Sequence, residues 1–313
     1  MSTPVSSAAG SRAELTLEDV EGLACLDSGQ AVLFGALFSF AEALDRMFVR
    51  VATRWAAQEY RFPTFIAAAE LDRVDYFRSF PHLATFPACL DPDEANLDTF
   101  CRDEPVRGDG VVQLTAVAPV SDVLTPAACY HLYVHHQGAG FDTPRYFTTT
   151  NTCFRREAHY RPLERLWSFT MREIVCMGDR DEVHAFLTEA SAVVDAIVSN
   201  LGLAARWTPA SDPFFRAPTN PKSLMQKIDP TKQEMVFDGR LAIASANFHH
   251  DHFGRAFGIT RTTATGAEQV HSGCVAFGIE RWLAALAHTF GPAPARWPDL
   301  DSLVVHNVGG TGV

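Results

Sequence analysis

Arg155, Glu157 and Phe169 combine charge and aromatic character at a spacing that suggests a binding face. Arg155 and Glu157 alternate along a predicted strand, so their side chains share one face about 7 Å apart. Phe169 shares a face with Glu173 on the predicted return strand. An arginine, a carboxylate and an aromatic ring on adjacent strands could hold a phosphate, an adenine amino group and an adenine ring. On spacing alone, a solvated sheet face with alternating charges explains the same pattern.

A second candidate is Arg281, which ends the segment GCVAFGIER at residues 273–281. This segment predicts a strand that runs into a helix. Arg281 would then lie in the first helical turn, where the helix dipole favours acidic residues. A basic residue in that position suggests a role beyond helix stability, although a solvated arginine is the alternative.

Taken together, these segments resemble the signature motifs of class II aminoacyl-tRNA synthetases. Residues 154–169, with FRRE at their start and Arg165 in the loop, resemble the second motif, and GIER at residues 278–281 resembles the third. The predicted strand around Pro63 would be the first motif, which forms the dimer interface in that family. The resemblance covers about residues 29–292. It implies an α+β fold in which an antiparallel sheet is flanked by helices.

The resemblance also implies roles for individual residues. Arg155 would neutralise charge at the α-phosphate of ATP and Arg281 would hold the γ-phosphate, which makes these two the expected catalytic residues. Residues 233–247 are similar to seryl-type strands that carry a metal-binding Glu and an Asn near the substrate, and Asn247 is that Asn. The residues expected to bind ATP with Mg²⁺ are Arg155, Glu157, Arg165, Phe169, Glu234 and Arg281.

Only short segments flank the region of resemblance, so the tRNA-gripping hairpin and anticodon domains of class II synthetases are not expected. The chain is instead similar to stand-alone bacterial homologues of seryl-tRNA synthetase, the amino acid:[carrier protein] ligases. This implies activation of glycine or alanine by ATP and transfer to the phosphopantetheine thiol of an acyl carrier protein, with no tRNA partner and a homodimer. A truncated tRNA synthetase and a non-catalytic regulatory paralogue are the alternatives.

Those ligases hold zinc through Cys, Glu and Cys on three strands, and the zinc binds the substrate's α-amino group. The positions that match in order and context are Cys129, Glu173 and Cys274. Two other ligand sets are open. Residues 249–252 (HHDH) look metal-like, but neighbours in one short segment cannot all converge on one ion. His131 and His135 share a predicted strand face with Cys129 and could replace Glu173.

The basic residues suggest where a carrier protein would dock. All three lysines of the chain, Lys222, Lys227 and Lys232, lie close together, and Arg216 lies just upstream. The chain has a net charge of −11 and carrier proteins are typically acidic too, so the two need a local patch of opposite sign to meet. We therefore expect Arg216, Lys222 and Lys227 to contact the carrier. A solvated helical face is the alternative.

Hydrophobic periodicity indicates the elements that must position these residues. A capping box at Asp179 and Glu182 and one apolar stripe predict a helix over residues 179–201. The other predicted helices cover residues 29–59 and 278–290. The predicted strands cover residues 60–66, 111–120, 128–136, 146–157, 165–177, 234–247 and 269–277.

We expect a flexible tail at residues 1–28, one catalytic domain at 29–300 and a C-terminal tail at 301–313. The composition, 47% hydrophobic and 20% charged, is typical of a globular protein. The acidic balance disfavours nucleic acid as the main partner. No uncharged run is long enough for a membrane span. Seven widely spaced cysteines without a secretory signal predict a cytoplasmic protein.

Overall fold

The computed structural model describes residues 15–102, 104–228, 230–264 and 266–302. The strands are β1 (Leu23–Leu26), β2 (Gln30–Leu33), β3 (Gln58–Arg61), β4 (Phe65–Ala67), β5 (Asp122–Leu124), β6 (Gly140–Phe141), β7 (Arg145–Phe154), β8 (Ser168–Gly178), β9 (Ala205–Pro209), β10 (Lys232–Phe237), β11 (Leu241–Phe248), β12 (Thr260–Thr263), β13 (Gly266–Gln269) and β14 (His271–Gly278). The helices are α1 (Gly35–Ala52), α2 (Ala68–Arg73), α3 (Tyr76–Ser79), α4 (Glu94–Arg102), α5 (Tyr130–His135), α6 (Arg180–Asn200), α7 (Pro221–Ile228), α8 (His252–Phe257) and α9 (Ile279–Phe290).

A seven-stranded sheet in the order β3-β7-β8-β14-β11-β10-β9 forms the centre of the fold. All neighbours are antiparallel except the edge strand β3, which runs parallel to β7. This arrangement agrees with the predicted α+β class and corrects the expectation of a purely antiparallel sheet. Strands β3 and β7 can pair in parallel because the connection between them, residues 62–144, is long and contains helices α2 to α5, and parallel strands require such a crossover.

Helices α1, α6 and α9 cover one face of the sheet and enclose the main core. Phe48 of α1 stacks on Phe277 of β14 with 3.9 Å between ring centroids, and Trp282 of α9 packs edge-on against Phe48. The capping box of Asp179 and Glu182 is present at the start of α6, as predicted. Side chains alternate between the two faces of a sheet, so every second residue of β8 and of β14 faces away from this core.

A second cluster of buried residues lies on the opposite face, under α2, α5 and α8. Residues 128–136, predicted as a strand, form the helical turn α5 instead. Glu173 of β8 accepts hydrogen bonds from the backbone N–H groups of Ala128 and Cys129 at 2.9 and 3.1 Å. This satisfies N–H groups at the start of the turn, so a side chain distant in sequence stabilises the helical conformation. The predicted strand at residues 111–120 is irregular apart from isolated bridges.

The packed part of the chain begins earlier than predicted. Leu17, Val20 and Leu23 are buried in the main core, and β1 pairs with β2 as a hairpin before α1. Within the described residues, the expectation of a flexible segment up to residue 28 is therefore wrong, because these apolar side chains pack under α1 and α9. Residues 1–14 and 303–313 of the two predicted tails lie outside the described residues.

Candidate active site

A cavity of about 660 Å³ lies over the sheet face that is turned away from the main core. The strands bring distant residues into rows across its floor. Lys232, Asn247 and Cys274 are successive cross-strand neighbours on β10, β11 and β14. The next row runs from Glu234 on β10 to Glu173 on β8. Period-two alternation therefore places residues from four strands on one surface.

The residues of the second motif meet at one end of the cavity. Arg155 lies directly after β7, donates from Nε to the Pro126 carbonyl at 2.9 Å, and places its guanidinium 5.3 Å from the centre of the Phe169 ring. Arg165 forms an ion pair with Glu157 at 2.7 Å. The structure thus brings together the arginine, carboxylate and aromatic ring that the sequence singles out. Such a group can contact a phosphate and an adenine ring.

Arg281 is held in place by the main chain. Its Nε donates to the Glu164 carbonyl at 2.9 Å and its Nη1 to the Ala242 carbonyl at 3.1 Å. Burial lowers the pKa of Arg281, and the positive charge of Arg155 lowers it further. The Glu164 carboxylate is itself fixed by Arg240 at 2.6 Å. The guanidinium is therefore fixed at the cavity wall in a position where an anion would relieve its repulsion with Arg155.

Glu280, which the motif contains but sequence reasoning left without a role, is buried beside Arg281. Both carboxylate oxygens accept the Thr170 N–H at 2.9 Å. Burial raises the pKa of Glu280 from 4.5 to about 7. The carboxylate links the start of α9 to β8, the helix and the strand that carry Arg281 and Phe169.

Cys129, Glu173 and Cys274 converge at the other end of the cavity. All three are buried, and their ligand atoms lie within 4.8 Å of one another. Within the described ranges of residues 15–302, no other group of three or more such side chains does so. The hydrogen bond with Cys274 and burial raise the pKa of the Cys129 thiol well above its usual value. A bound cation would reverse this effect, and two thiolates with a carboxylate are a donor set suited to zinc.

The alternative histidine ligands do not join this cluster in the described structure. His131 makes a 3.0 Å hydrogen bond to the Phe65 carbonyl and stacks on Phe62. From the segment 249–252, His249 lies beside the cluster, with Nε2 at 3.6 Å from Cys274 Sγ. Its other ring nitrogen lies 3.1 Å from Ser272 Oγ. His249 is therefore a neighbour of one cysteine and does not face the three ligand atoms together.

The polar residues on β10 and β11 border the middle of the cavity. Asn247 donates from Nδ2 to Ser245 Oγ at 3.0 Å and to Cys274 Sγ at 3.5 Å. Lys232 contacts Glu234 at 3.1 Å and Asp212 at 2.9 Å. Lys232 thus lies in the cavity with a side chain that is 14% exposed, whereas Lys222 is 42% exposed and Arg216 is exposed. Its position two residues before Glu234 on one strand is the sequence signal that could have indicated this.

The predicted carrier contacts lie outside the cavity or at its rim. Arg216 is exposed and packs against the Phe215 ring at 5.2 Å. Lys222, at the start of α7, pairs with Asp75 at 3.1 Å and is 42% exposed. The side chain of Lys227 lies outside what the structure describes. The described side chains of α7 also include exposed apolar ones, namely Leu224, Met225 and Ile228.

Comparison with known proteins identifies the family. The family model described as the tRNA synthetase class II core domain (G, H, P, S and T) matches residues 123–290. Amino acid--[acyl-carrier-protein] ligase 1 of Bradyrhizobium diazoefficiens is 37% identical over 246 residues, which cover 76% of this chain and 73% of that protein. The chain belongs to this ligase family. Ligase 2 of the same organism is 38% identical over 251 residues, covering 76% of this chain and 71% of that protein.

A solved structure agrees with this membership at the level of the fold. The M. kandleri seryl-tRNA synthetase, solved in complex with A. aeolicus tRNASec, superposes with a TM-score of 0.76 at 18% identity. The alignment covers 93% of this chain and 61% of that one. The predicted class II synthetase-like catalytic fold, the suspected ligase family and the assignment as an enzyme are therefore confirmed. No helix in the described part of the chain is long and apolar enough to cross a membrane.

Proposed function

We propose that the protein activates glycine or alanine with ATP as an aminoacyl adenylate and transfers the aminoacyl group to the phosphopantetheine thiol of an acyl carrier protein. The observation that carries the proposal is that Arg155, Phe169 and Arg281 border the same cavity as the buried Cys/Glu/Cys cluster. A nucleotide site and an amine-binding metal site over one sheet are what this reaction requires. The names of the two Bradyrhizobium relatives support the same activity.

In this proposal the arginines and the phenylalanine orient ATP. Phe169 stacks on the adenine ring and Glu157, held by Arg165, accepts from the adenine amino group. Arg155 lies against the α-phosphate, and Arg281, which two backbone carbonyls already fix, binds the γ-phosphate. Because both guanidiniums are held before ATP arrives, little reorganisation is needed to stabilise the charge that develops during reaction.

The first step forms a bond between a carboxylate oxygen of the amino acid and the α-phosphorus, and it breaks the bond to pyrophosphate. In the second step the carrier thiol loses its proton, its sulfur attacks the activated carbonyl, and AMP leaves with the bonding electrons. The chain supplies no covalent nucleophile. Its residues act by position and charge, and removal of one such aimed charge typically costs roughly 10²- to 10³-fold in rate.

Cys129, Glu173 and Cys274 fit zinc by donor type and by the closeness of their ligand atoms. When bound, zinc would accept the α-amino nitrogen and so select amino acids over other carboxylic acids. Glu173 would be oriented for this by the two N–H groups that it accepts, and Asn247 would orient the Cys274 sulfur.

Glu234 is the residue we propose as a ligand of the Mg²⁺ that accompanies ATP, because its carboxylate borders the same cavity as the two motif arginines and Asn247. Magnesium prefers oxygen ligands and is usually held by one or two carboxylates together with substrate phosphates. When bound, it would neutralise phosphate charge.

The surroundings of the cluster favour a small amino acid. Cys129 and Cys274 pack with Tyr76 and Phe253 in one buried cluster. An amino acid held by its amino group at the three ligands would meet these rings with its side chain. Aromatic rings beside the three ligands favour a small substrate side chain, as in glycine or alanine.

The surface around α7 is the proposed docking site of the carrier. Arg216 and Lys222 supply positive charge to a net-acidic protein, and Lys227 lies on the same helix. The exposed apolar side chains of α7 would add contact area, and Met225 also borders the cavity. A carrier on this helix would therefore hold its phosphopantetheine arm beside the adenylate.

A homodimer and a reducing cytoplasm complete the proposal. Exposed apolar residues support an interface with a second copy: Phe65, Phe86, Val106, Val111, Val112, Leu114 and Val117. The seven cysteines are free thiols, and Cys129 and Cys274 must be reduced to ligate a metal.

ATP–pyrophosphate exchange tests the function directly. We expect the zinc-loaded protein with Mg²⁺ to exchange with glycine or alanine among the twenty amino acids, and Arg281→Ala to abolish exchange. Arg50→Ala is the matched control, because Arg50 lies on α1, pairs with Asp301 and does not line the cavity. Wild-type protein that exchanges with no amino acid would refute the proposed activation of an amino acid and favour a regulatory paralogue. Transfer to tRNA in place of a carrier would favour a truncated synthetase.

A further inference from the structure

Lys232 is a mostly buried cation in the cavity, and the proposed reaction gives it no role. Its side chain is only 14% exposed, and its ammonium bridges Asp212 and Glu234. The lysine is therefore a charged group fixed beside the carboxylate proposed to bind magnesium.

The charges of Lys232, Asp212 and Glu234 favour an exchange in which magnesium replaces the lysine as the partner of Glu234. Two carboxylates share one ammonium, so the group carries an excess of negative charge that attracts a cation. Once Glu234 ligates the magnesium of a nucleotide, the ammonium at hydrogen-bond distance from the same carboxylate is repelled. Lys232 must then leave Glu234 or weaken the binding of the metal.

Asp212 can keep the lysine at the site during this exchange. Gln226 of α7 donates to Asp212 Oδ2 at 3.0 Å and accepts the Asp212 N–H at 2.8 Å. The Asp212 carboxylate is thus fixed by contacts other than the lysine, and its bond to Lys232 does not depend on Glu234. A lysine released from Glu234 would stay anchored at one side and turn its charge to the cavity.

The sheet register indicates what the released ammonium would meet. Lys232 lies in the row that continues through Asn247 to Cys274, and Glu234 lies in the adjacent row. The space over these rows separates the proposed magnesium position from the Cys/Glu/Cys cluster. In the proposed reaction, the amino acid carboxylate meets the α-phosphate in this space.

We propose that Lys232 is a substrate-binding residue: Asp212 and Glu234 share its ammonium in the ligand-free protein, and the ammonium turns to the reacting anions when Glu234 binds the nucleotide's magnesium. The inference rests on the proposed adenylation. It differs from a structural salt bridge, because it requires Lys232 and magnesium to compete for Glu234.

Competition predicts opposite effects of two substitutions on magnesium dependence. A mant-labelled non-hydrolysable ATP analogue is titrated with Mg²⁺, and binding is followed by fluorescence anisotropy. Lys232→Met removes the competitor, so the Mg²⁺ concentration for half-maximal binding should fall about fivefold, the size expected for a partly exposed ion pair. Asp212→Asn removes one of the two carboxylates that pair with Lys232, so the lysine should hold Glu234 more strongly. The Mg²⁺ concentration for half-maximal binding should therefore rise.

Two further variants separate this role from loss of structure. Arg261→Met is the matched control, because Arg261 also bridges two carboxylates, Asp179 and Glu182, and its side chain is 17% exposed outside the cavity. It should change neither the Mg²⁺ titration nor pyrophosphate exchange. Lys232→Met should lower the turnover of exchange by about 10²-fold. Lys232→Arg keeps the charge and should retain part of that turnover.

An unchanged or higher Mg²⁺ requirement in Lys232→Met would overturn the inference. Wild-type protein without exchange would instead refute the proposed function, and the two failures are therefore distinguishable. If circular dichroism shows that Lys232→Met is unfolded, the Mg²⁺ titration of Asp212→Asn tests the inference instead. An Mg²⁺ requirement of this variant equal to or below that of the wild type would overturn the inference.

Discussion

Replacing Glu280 by glutamine should stabilise the protein at neutral and alkaline pH. Burial raises the pKa of this carboxyl group from 4.5 to about 7. Between these two values the folded state keeps a proton that the unfolded state has released. The free energy of unfolding therefore falls as pH rises from 4.5 to about 7 and stays lowered above this range.

The magnitude follows from the two pKa values. Their difference corresponds to about 3 kcal/mol of stability lost between the two ends of the range. Glutamine carries no charge at any pH, so Glu280→Gln avoids this loss. It retains one oxygen to accept the Thr170 N–H, where the carboxylate uses two, at a cost of about 1 kcal/mol. We expect the variant to be more stable by about 2 kcal/mol at pH 8 and less stable by about 1 kcal/mol at pH 4.5.

Urea unfolding at a series of pH values measures the free energy of unfolding of both proteins. Subtracting the wild-type value from that of the variant removes the contributions of all other titrating groups. Glu42→Gln, at an exposed position of α1, is the control for the exchange of a carboxylate for an amide. Parallel profiles for Glu280→Gln and the wild type would show that Glu280 is ionised at its ordinary pKa in the folded protein. The reasoning from burial would then be wrong.

Two further predictions concern the metal and the carrier. One zinc per chain should be lost in Cys129→Ser and in Cys274→Ser but retained in His250→Ala, and zinc affinity should weaken as pH falls because protons compete for the thiolates. Metal analysis checks both, and zinc that is unaffected by either cysteine change would contradict the site. Lys222→Glu with Lys227→Glu should slow transfer to the carrier and leave pyrophosphate exchange intact, and wild-type transfer should weaken with added salt. Equal loss of both half-reactions would indicate a damaged fold, and intact transfer would exclude this docking surface.

Local patterns predict the parts of this fold that local interactions stabilise. Asp179 and Glu182 cap α6 within one turn, and the capping box is visible in the sequence for that reason. The convergence of Arg155 with Phe169 is likewise predictable, because β7 and β8 are sequential antiparallel strands. A signature motif covers such a pair of strands in one short segment, so the sequence alone predicts the arrangement.

The errors arise where a distant residue decides the conformation. The β-type residues of 128–136 predict a strand, but Glu173, from β8, accepts the N–H groups that begin α5. The bridge from Lys232 to Asp212 joins β10 to a segment without regular structure. Residues 111–120 contain enough apolar side chains for a strand, yet several of them are exposed in an irregular segment.

The two carboxylate oxygens of Glu173 have different roles, and this difference limits how the cluster can be redesigned. Oε1 accepts the N–H groups of Ala128 and Cys129, which leaves Oε2 for an ion. Zinc accepts three cysteines in many proteins, so Glu173→Cys would preserve the number of ligands. A cysteine has one sulfur and a shorter side chain, and it could not ligate the ion and hold the start of α5 together. An engineer who exchanged this ligand would have to rebuild the helical turn that carries its neighbour.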